Sequence, residues 1–370
     1  MKYIVSFASL LTVSVCLMTS VGVRLGAAQP RPIPTQPGRH IIVALTGTVK
    51  VKRKNWNKRV DILARKGMWL QMGDLLDIRS NATVRIVCAD RKVKQLSTGL
   101  RGVPCPAAVR GPVDVDGLLH GPVRGGDSFG LEYPMLVSPR MGKLLNPRPK
   151  LRWTPVLGAT RYTVLLEKRD GSQIVIYKGP RVEISYPAGA PALSPADRLV
   201  VSSESGRSSD EEERAGLGFN LVTARERQAL LKAQHEIRSL NLPAAQTQVL
   251  LAILYASKDF YTEAVDILEK LAQSSTEPAV LQLLGDLYLK MGLSRHAEKH
   301  YLRAVTLARN ASDADAEAQA RRGLALVYEA IGNAAEATDQ WQKALDFYRG
   351  VEDDERIRQI ESHLNALQRN

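Results

Sequence analysis

The segment Tyr261-Thr262-Glu263-Ala264 returns as Ser294-Arg295-His296-Ala297 and again as Ala334-Ala335-Glu336-Ala337, 33 and then 40 residues apart. Working outward from the alanines, leucine recurs at 251, 284 and 324, and tyrosine at 255, 288 and 328. A small residue recurs at Ala252, Gly285 and Ala325, and a large one at Leu268, Tyr301 and Trp341. Small residues let two antiparallel helices approach closely, and large ones fill the space between neighbouring pairs. A period of this length in helix-type sequence predicts stacked helical hairpins, each burying its apolar face only against its neighbours. Longer helices or an inserted turn at Asn310-Ala311-Ser312-Asp313 are expected to accommodate the wider second spacing.

These positions resemble the tetratricopeptide repeat, in three copies over about 105 residues. The chain departs from that pattern where a proline is usual near the repeat end, placing Thr276, Arg309 and Arg349 there instead. The resemblance implies that the first helices of the pairs line a concave groove for a protein or peptide segment. Its residues would be Gln282, Asp286 and Lys290, then Arg322, Leu326 and Glu329. Repeat one offers Val249 and Ile253, so its share of the groove is expected to be covered, with the preceding helix as the candidate cover. The stretch from Ala224 to Leu240, stopped by Asn241-Leu242-Pro243, and the tail from Asp353 to Leu367 are expected to cap the two ends. A solenoid serving only as a spacer or a dimer surface is the plainer alternative.

Upstream, the pattern changes to short alternating strands. Gly47-Thr48-Val49, Gly67, Gly73-Asp74-Leu75-Leu76, Ala82-Thr83-Val84-Arg85-Ile86 and Asp90 resemble the small β-domain of FecR-type envelope sensors. Strands are expected at 69–70, 75–78 and 82–87, with a turn at Trp56-Asn57 and irregular structure from Leu100 to Gly130. The segment Pro149 to Val164, with Trp153, Gly158-Ala159 and Tyr162, is similar to fibronectin type III-like domains, which implies a β-sandwich with Trp153 in its core. The run Ser202 to Glu213 reads as a solvated loop. The predicted fold class is multidomain: two small all-β domains followed by an all-α solenoid. Its divisions are a signal at 1–28, a proline-rich tether at 29–40, a basic FecR-like β-domain at 41–105 and a Gly/Pro-rich linker at 106–132. A β-sandwich at 133–221 and the capped solenoid at 222–370 complete them.

The start of the chain has the order of a secretory signal: Lys2, an uncharged and mostly apolar run from Ile4 to Val23, then Gly26-Ala27-Ala28. The run is also long enough to remain as a membrane anchor, and both outcomes stay open. Either way, the periplasm or cell envelope is the expected place, as in bacterial, cyanobacterial-type envelope proteins with these modules. Cys88 and Cys105, 17 apart, are candidates for a disulfide in an exported chain, with two unrelated buried thiols as the alternative. Neither has a second ligand at metal-binding spacing, and no metal is expected.

Charge is uneven. Residues 29–130 hold 18 Lys/Arg against 7 Asp/Glu, whereas 221–370 hold 18 against 21. Lys50, Lys52, Lys54, Lys58 and Arg59 make a candidate patch for an anionic surface. In the expected compartment that surface would be acidic polysaccharide, cell wall or lipid headgroups, with nucleic acid excluded; a plain solubility surface is the alternative.

No nucleophile elbow, phosphate loop, dinucleotide fingerprint or zinc-protease helix occurs in the sequence. His296 and His300 lie four apart, but with no third ligand nearby they read as packing residues. Asp114-Val115-Asp116-Gly117 reads as a turn. The expectation is a non-enzymatic adaptor without cofactor, binding a protein partner through the groove, with homo-oligomerisation open. The rival is a glycan- or small-ligand-sensing accessory subunit whose repeats only oligomerise.

Overall fold

Strands form where apolar and polar residues alternate, because successive side chains point to opposite faces of a sheet. The computed structural model describes residues 40–55, 58–70, 73–88, 93–105, 132–212 and 217–369, all within the compact unit Pro34–Asn370. The expected signal, the tether up to residue 39, the Trp56-Asn57 turn and all but the last residue of the expected linker at 106–132 lie outside them.

Six strands make the first sheet: β1 (His40–Thr46), β2 (Val49–Asn55), β3 (Lys58–Leu63), β4 (Trp69–Leu70), β5 (Leu75–Val87) and β6 (Val93–Gly102). Their order is β3-β2-β5-β1-β4, with β6 along the other side of β5. The strands expected at 75–78 and 82–87 are one long strand, whose register against β6 shifts between Ile78 and Thr83. Asn81 takes up that irregularity with a φ of 66°. The irregular structure expected from Leu100 begins later than the sequence suggests, because residues 93–102 run as β6 beside β5. Inward-facing Ile42, Val51, Leu76, Val84 and Ile86 form the core together with Cys88 and Cys105, whose sulfurs are bonded to each other.

The second β-region has β7 (Leu136–Ser138), β8 (Met141–Leu144), β9 (Leu151–Trp153), β10 (Tyr162–Glu167), β11 (Gln173–Gly179), β12 (Glu183–Ile184), β13 (Arg198–Ser203) and β14 (Gly218–Leu221). Two three-stranded sheets, β11-β10-β13 and β12-β9-β7, share a core with Trp153 among Tyr162 and Tyr177. A separate parallel pair, β8 with β14, faces the helices. The described part of the run expected as a solvated loop, residues 202–212, is not simply one. It completes β13, makes a capped turn at 209–211, and sends Glu212 onto the buried Arg140 guanidinium.

Eight helices follow: α1 (Ala224–Ser239), α2 (Ala244–Ala256), α3 (Tyr261–Ser274), α4 (Pro278–Lys290), α5 (Ser294–Asn310), α6 (Ala314–Ala330), α7 (Ala334–Gly350) and α8 (Asp354–Leu367). α2–α3, α4–α5 and α6–α7 are the three hairpins. The wider second spacing is absorbed by longer helices, since α5, α6 and α7 have 17 residues each against 13 or 14 in α2, α3 and α4. Gly285 and Gly323 flank the Tyr301 ring. A Cβ on Gly285 would come within 2.9 Å of that ring, and one on Gly323 closer still, so close helix approach requires glycine at both.

The β-regions are docked on this solenoid. Arg140 donates from Nε to the Met291 carbonyl at the end of α4, and Lys143 N donates to Asp259 O at 2.8 Å. Gly142, at a φ of 84°, lies where a Cβ would strike the Asp259 carbonyl and the Tyr261 ring. On the other module, Ile41, Val43 and Val87 form a small core with Leu242, while Lys66 Nζ donates to the Asn241 carbonyl.

Candidate functional site

The six residues read as a groove do not form an open row. Gln282 is 4% exposed and donates from Nε2 to the Ala316 carbonyl at 2.6 Å. Asp286, 3% exposed, accepts from the Tyr301 hydroxyl at 2.6 Å. Arg322 is buried and Leu326 belongs to the main core. Glu329 accepts from Trp341 Nε1 at 2.5 Å and lies 3.1 Å from His363 Nδ1, on a ring stacked against Trp341. Lys290 sits over the Tyr261 ring. The polar groups expected to meet a partner are instead committed to repeat packing and to the α8 cap. Val249 is covered as expected, but not by the preceding helix alone. It shares a core with Met135 and Val137, whereas α1 packs through Leu230 beside Leu254 and Phe260.

First-helix surface remains open at the N-terminal ends of α4 and α6, where they face the first sheet. A cleft of about 240 Å³ lies there. The sheet contributes Arg53, Arg65, Met68 and Trp69 to its lining, α2 contributes Gln246, and the later helices contribute Glu277, Pro278, Asp313, Asp315, Gln319 and Arg356. Arg53 is held in place: Nε and Nη2 donate to Asp74 at 3.1 and 2.8 Å, and Nη2 also donates to the Trp69 carbonyl. Burial opposes its charge, but the Asp74 carboxylate outweighs that and raises its pKa.

Asp315 is the opposing anion. Burial pushes it up to about 6, against the pull of Arg356, whose Nη1 is 3.6 Å away. Gln319 Nε2 donates to its Oδ2 at 2.6 Å. Arg65 and Glu277 also line the cleft, are exposed, and make no ion pair with another described residue. Among the described residues, the lining therefore offers Arg65 as a cation without an ion pair, Glu277 as an anion without one, and apolar surface from Met68, Trp69 and Pro278. An extended chain segment with mixed charge and an apolar side chain matches that set chemically. No arrangement of nucleophile, base and oxyanion donors is present among the lining residues.

Two residues of the expected cationic patch, Lys50 and Lys52, are paired within the sheet. Lys52 Nζ lies 3.2 Å from Asp61 and 3.7 Å from Asp77, and Lys50 Nζ lies 3.7 Å from Asp61. Arg59 is exposed, and the side chains of Lys54 and Lys58 lie outside the described ones. Cross-strand neighbours offset the lysines, and charge counted along the chain missed this. His296 and His300 pack at ring-centroid distances of 5.0 and 5.5 Å from Tyr288, whose hydroxyl bonds Glu269. Burial lowers both histidines to about 4, as neutral packing residues. His40 has a nitrogen close to the Cys88 and Cys105 sulfurs, but bonded sulfurs are not thiolate ligands.

Residues 276–350 match the tetratricopeptide-repeat family model. None of the curated proteins matches the chain. Among solved structures, BtubC (BKLC) from P. vanneervenii aligns at 18% identity and a TM-score of 0.34, covering 40% of this chain and 66% of that one. MamA aligns at 18% identity and a TM-score of 0.26, over 39% and 84% of the two chains. YrrB, described as a TPR protein with an unusual peptide-binding site, aligns at 23% and 0.24, over 40% and 81%. The chain thus spans just under two thirds of the first of these. It is a multidomain protein in which β-rich modules precede a helical solenoid. Within that solenoid, residues 276–350 match tetratricopeptide repeats, a fold that is typically a non-catalytic scaffold for protein interaction.

Proposed function

We propose that this chain is an exported, non-enzymatic scaffold that holds an extended segment of a protein partner in the cleft between its first sheet and the starts of α4 and α6. The observation that carries the reading is the open cleft at the first helices of a tetratricopeptide region, with Arg65 and Glu277 on its two sides and neither in an ion pair with another described residue. Export is supported by the apolar run from Ile4 to Val23 and by the Cys88–Cys105 disulfide, a bond that persists in oxidising compartments. The FecR-like and fibronectin-like resemblances favour a bacterial envelope as the setting. The pairing of Lys50 and Lys52 with Asp61 and Asp77 favours a protein segment over an anionic polymer as the main ligand.

The test is affinity capture from an envelope extract with the full chain, followed by direct titration of the captured partner against Arg65→Glu and Glu277→Lys. Both positions are exposed, so the fold should tolerate the changes. The expected result is at least a tenfold loss of affinity for each variant, about 1.4 kcal/mol. Equal affinity across all three chains would remove the cleft from the binding surface.

A further inference from the structure

The outer face of the first sheet carries a short pattern that is its own complement. Strand pairing aligns Leu63 of β3 with Lys50 of β2, Lys50 with Asp77 of β5, and Asp77 with Leu100 of β6. Residues directly opposite in a ladder share a face, so these four side chains stand in one row across four strands. The two ends are apolar and open to solvent: Leu63 is 66% exposed and Leu100 is 56% exposed. The centre is one cation and one anion.

Read from either end, the row is apolar, charged, oppositely charged, apolar. A two-fold axis parallel to the strands, between β2 and β5, brings Leu63 against Leu100 of a second copy and Lys50 against its Asp77, twice each. The neighbouring row obeys the same operation. Asp61, Lys52, Leu75 and Gly102 are aligned across the same strands, so Lys52 would lie over Leu75 of the second copy and Asp61 over its Gly102. Nothing lies within 4 Å of where a Cβ on Gly102 would point, so that corner has room for the carboxylate. Lys50 and Asp77 each gain an opposite charge across the axis, while Lys52 and Asp61 keep the partners they have within their own sheet.

The geometry points to this face as the contact between two copies of the chain, packed sheet on sheet about a two-fold axis. A closed two-fold pair requires a patch that is complementary to itself, and this row meets that requirement in both apolar contact and charge. Four strands span about 15 Å at the usual spacing, so the contact is small and belongs to the weak, exchanging class. The cleft lies elsewhere on the chain, so this proposal stands apart from the partner reading and can fail without it.

The experiment is sedimentation of the full chain in a density-matched non-ionic detergent, at concentrations up to about 100 µM, where weak contacts become populated. Three samples are compared: the unmodified chain, Leu63→Arg and Leu100→Asp, with the last two also mixed in equal amounts. The unmodified chain is expected to show a concentration-dependent dimer. Each variant alone should associate at least tenfold more weakly. The mixture should recover the dimer, because Arg at 63 then meets Asp at 100 across one contact while the other stays apolar. A monomeric unmodified chain, variants that dimerise as well as it does, or a mixture that stays monomeric would each overturn the proposal.

Discussion

Asp315 and the two histidines of α5 titrate in opposite senses, and the pH dependence of stability should expose both. Asp315 holds its proton up to about 6 when folded, against an ordinary value of about 4 in the unfolded chain. The folded chain binds the extra proton in that window, so this residue's contribution is full below about 4 and is lost as pH rises through 6. His296 and His300 are held down at about 4 by burial, against about 6.5 unfolded. Their contribution is full above 6.5 and is lost as pH falls towards 4. The histidines favour a fall in stability between pH 6.5 and 4, and Asp315, with the raised carboxyls of Glu263 and Asp266, opposes it. Asp315→Asn should steepen that fall and His300→Asn should flatten it, as read by denaturant midpoints at a series of pH values. At this scale the sequence was a partial guide. It exposed the histidines as packing residues by their place in the repeat. It could not show that Gln282 would bond Ala316 across 34 positions, or that Lys52 would face Asp61 and Asp77, because those contacts depend on which strands and helices become neighbours.

Between elements, the close approaches decide stability. Gly323 and Gly285 both lie against the Tyr301 ring, so Gly323→Ala should overpack the α4–α5–α6 junction and cost about 1–3 kcal/mol. Arg140 is a second such point, buried with Glu212 and donating to the Met291 carbonyl. Arg140→Ala leaves the Glu212 carboxylate buried without its cation, and a loss of about 3–5 kcal/mol is expected in equilibrium unfolding. The helices themselves were legible because a period of 33 to 40 residues survives in single positions such as Leu251, Leu284 and Leu324. β6 was not. Val93 to Gly102 contains two glycines and few β-formers, and its strand state comes from the ladder with β5 rather than from its own composition. The start of that ladder's register shift, at Ile78, is likewise a property of the pair.

Across the whole molecule, the β-modules and the solenoid share cores and buried bonds, so they should not behave as beads on a string. Met135 and Val137 belong to the solenoid's core, and Leu242 to a core with Ile41 and Val43. Reducing the Cys88–Cys105 bond is expected to destabilise the first module by about 3 kcal/mol through its loop-closure entropy. The order of modules was legible from changes in hydrophobic period along the chain. Their docking was not, because the residues that make it, such as Arg140, Gly142 and Lys66, carry no periodic signal. That docking moves the expected binding surface from an open groove to the cleft beside the first sheet. Amide hydrogen exchange, comparing the free chain with its captured partner complex, tests this most directly. The account predicts new protection at 65–70 and at the first turns of α4 and α6. Protection confined to α5 and α7, with the cleft segments unchanged, would contradict it.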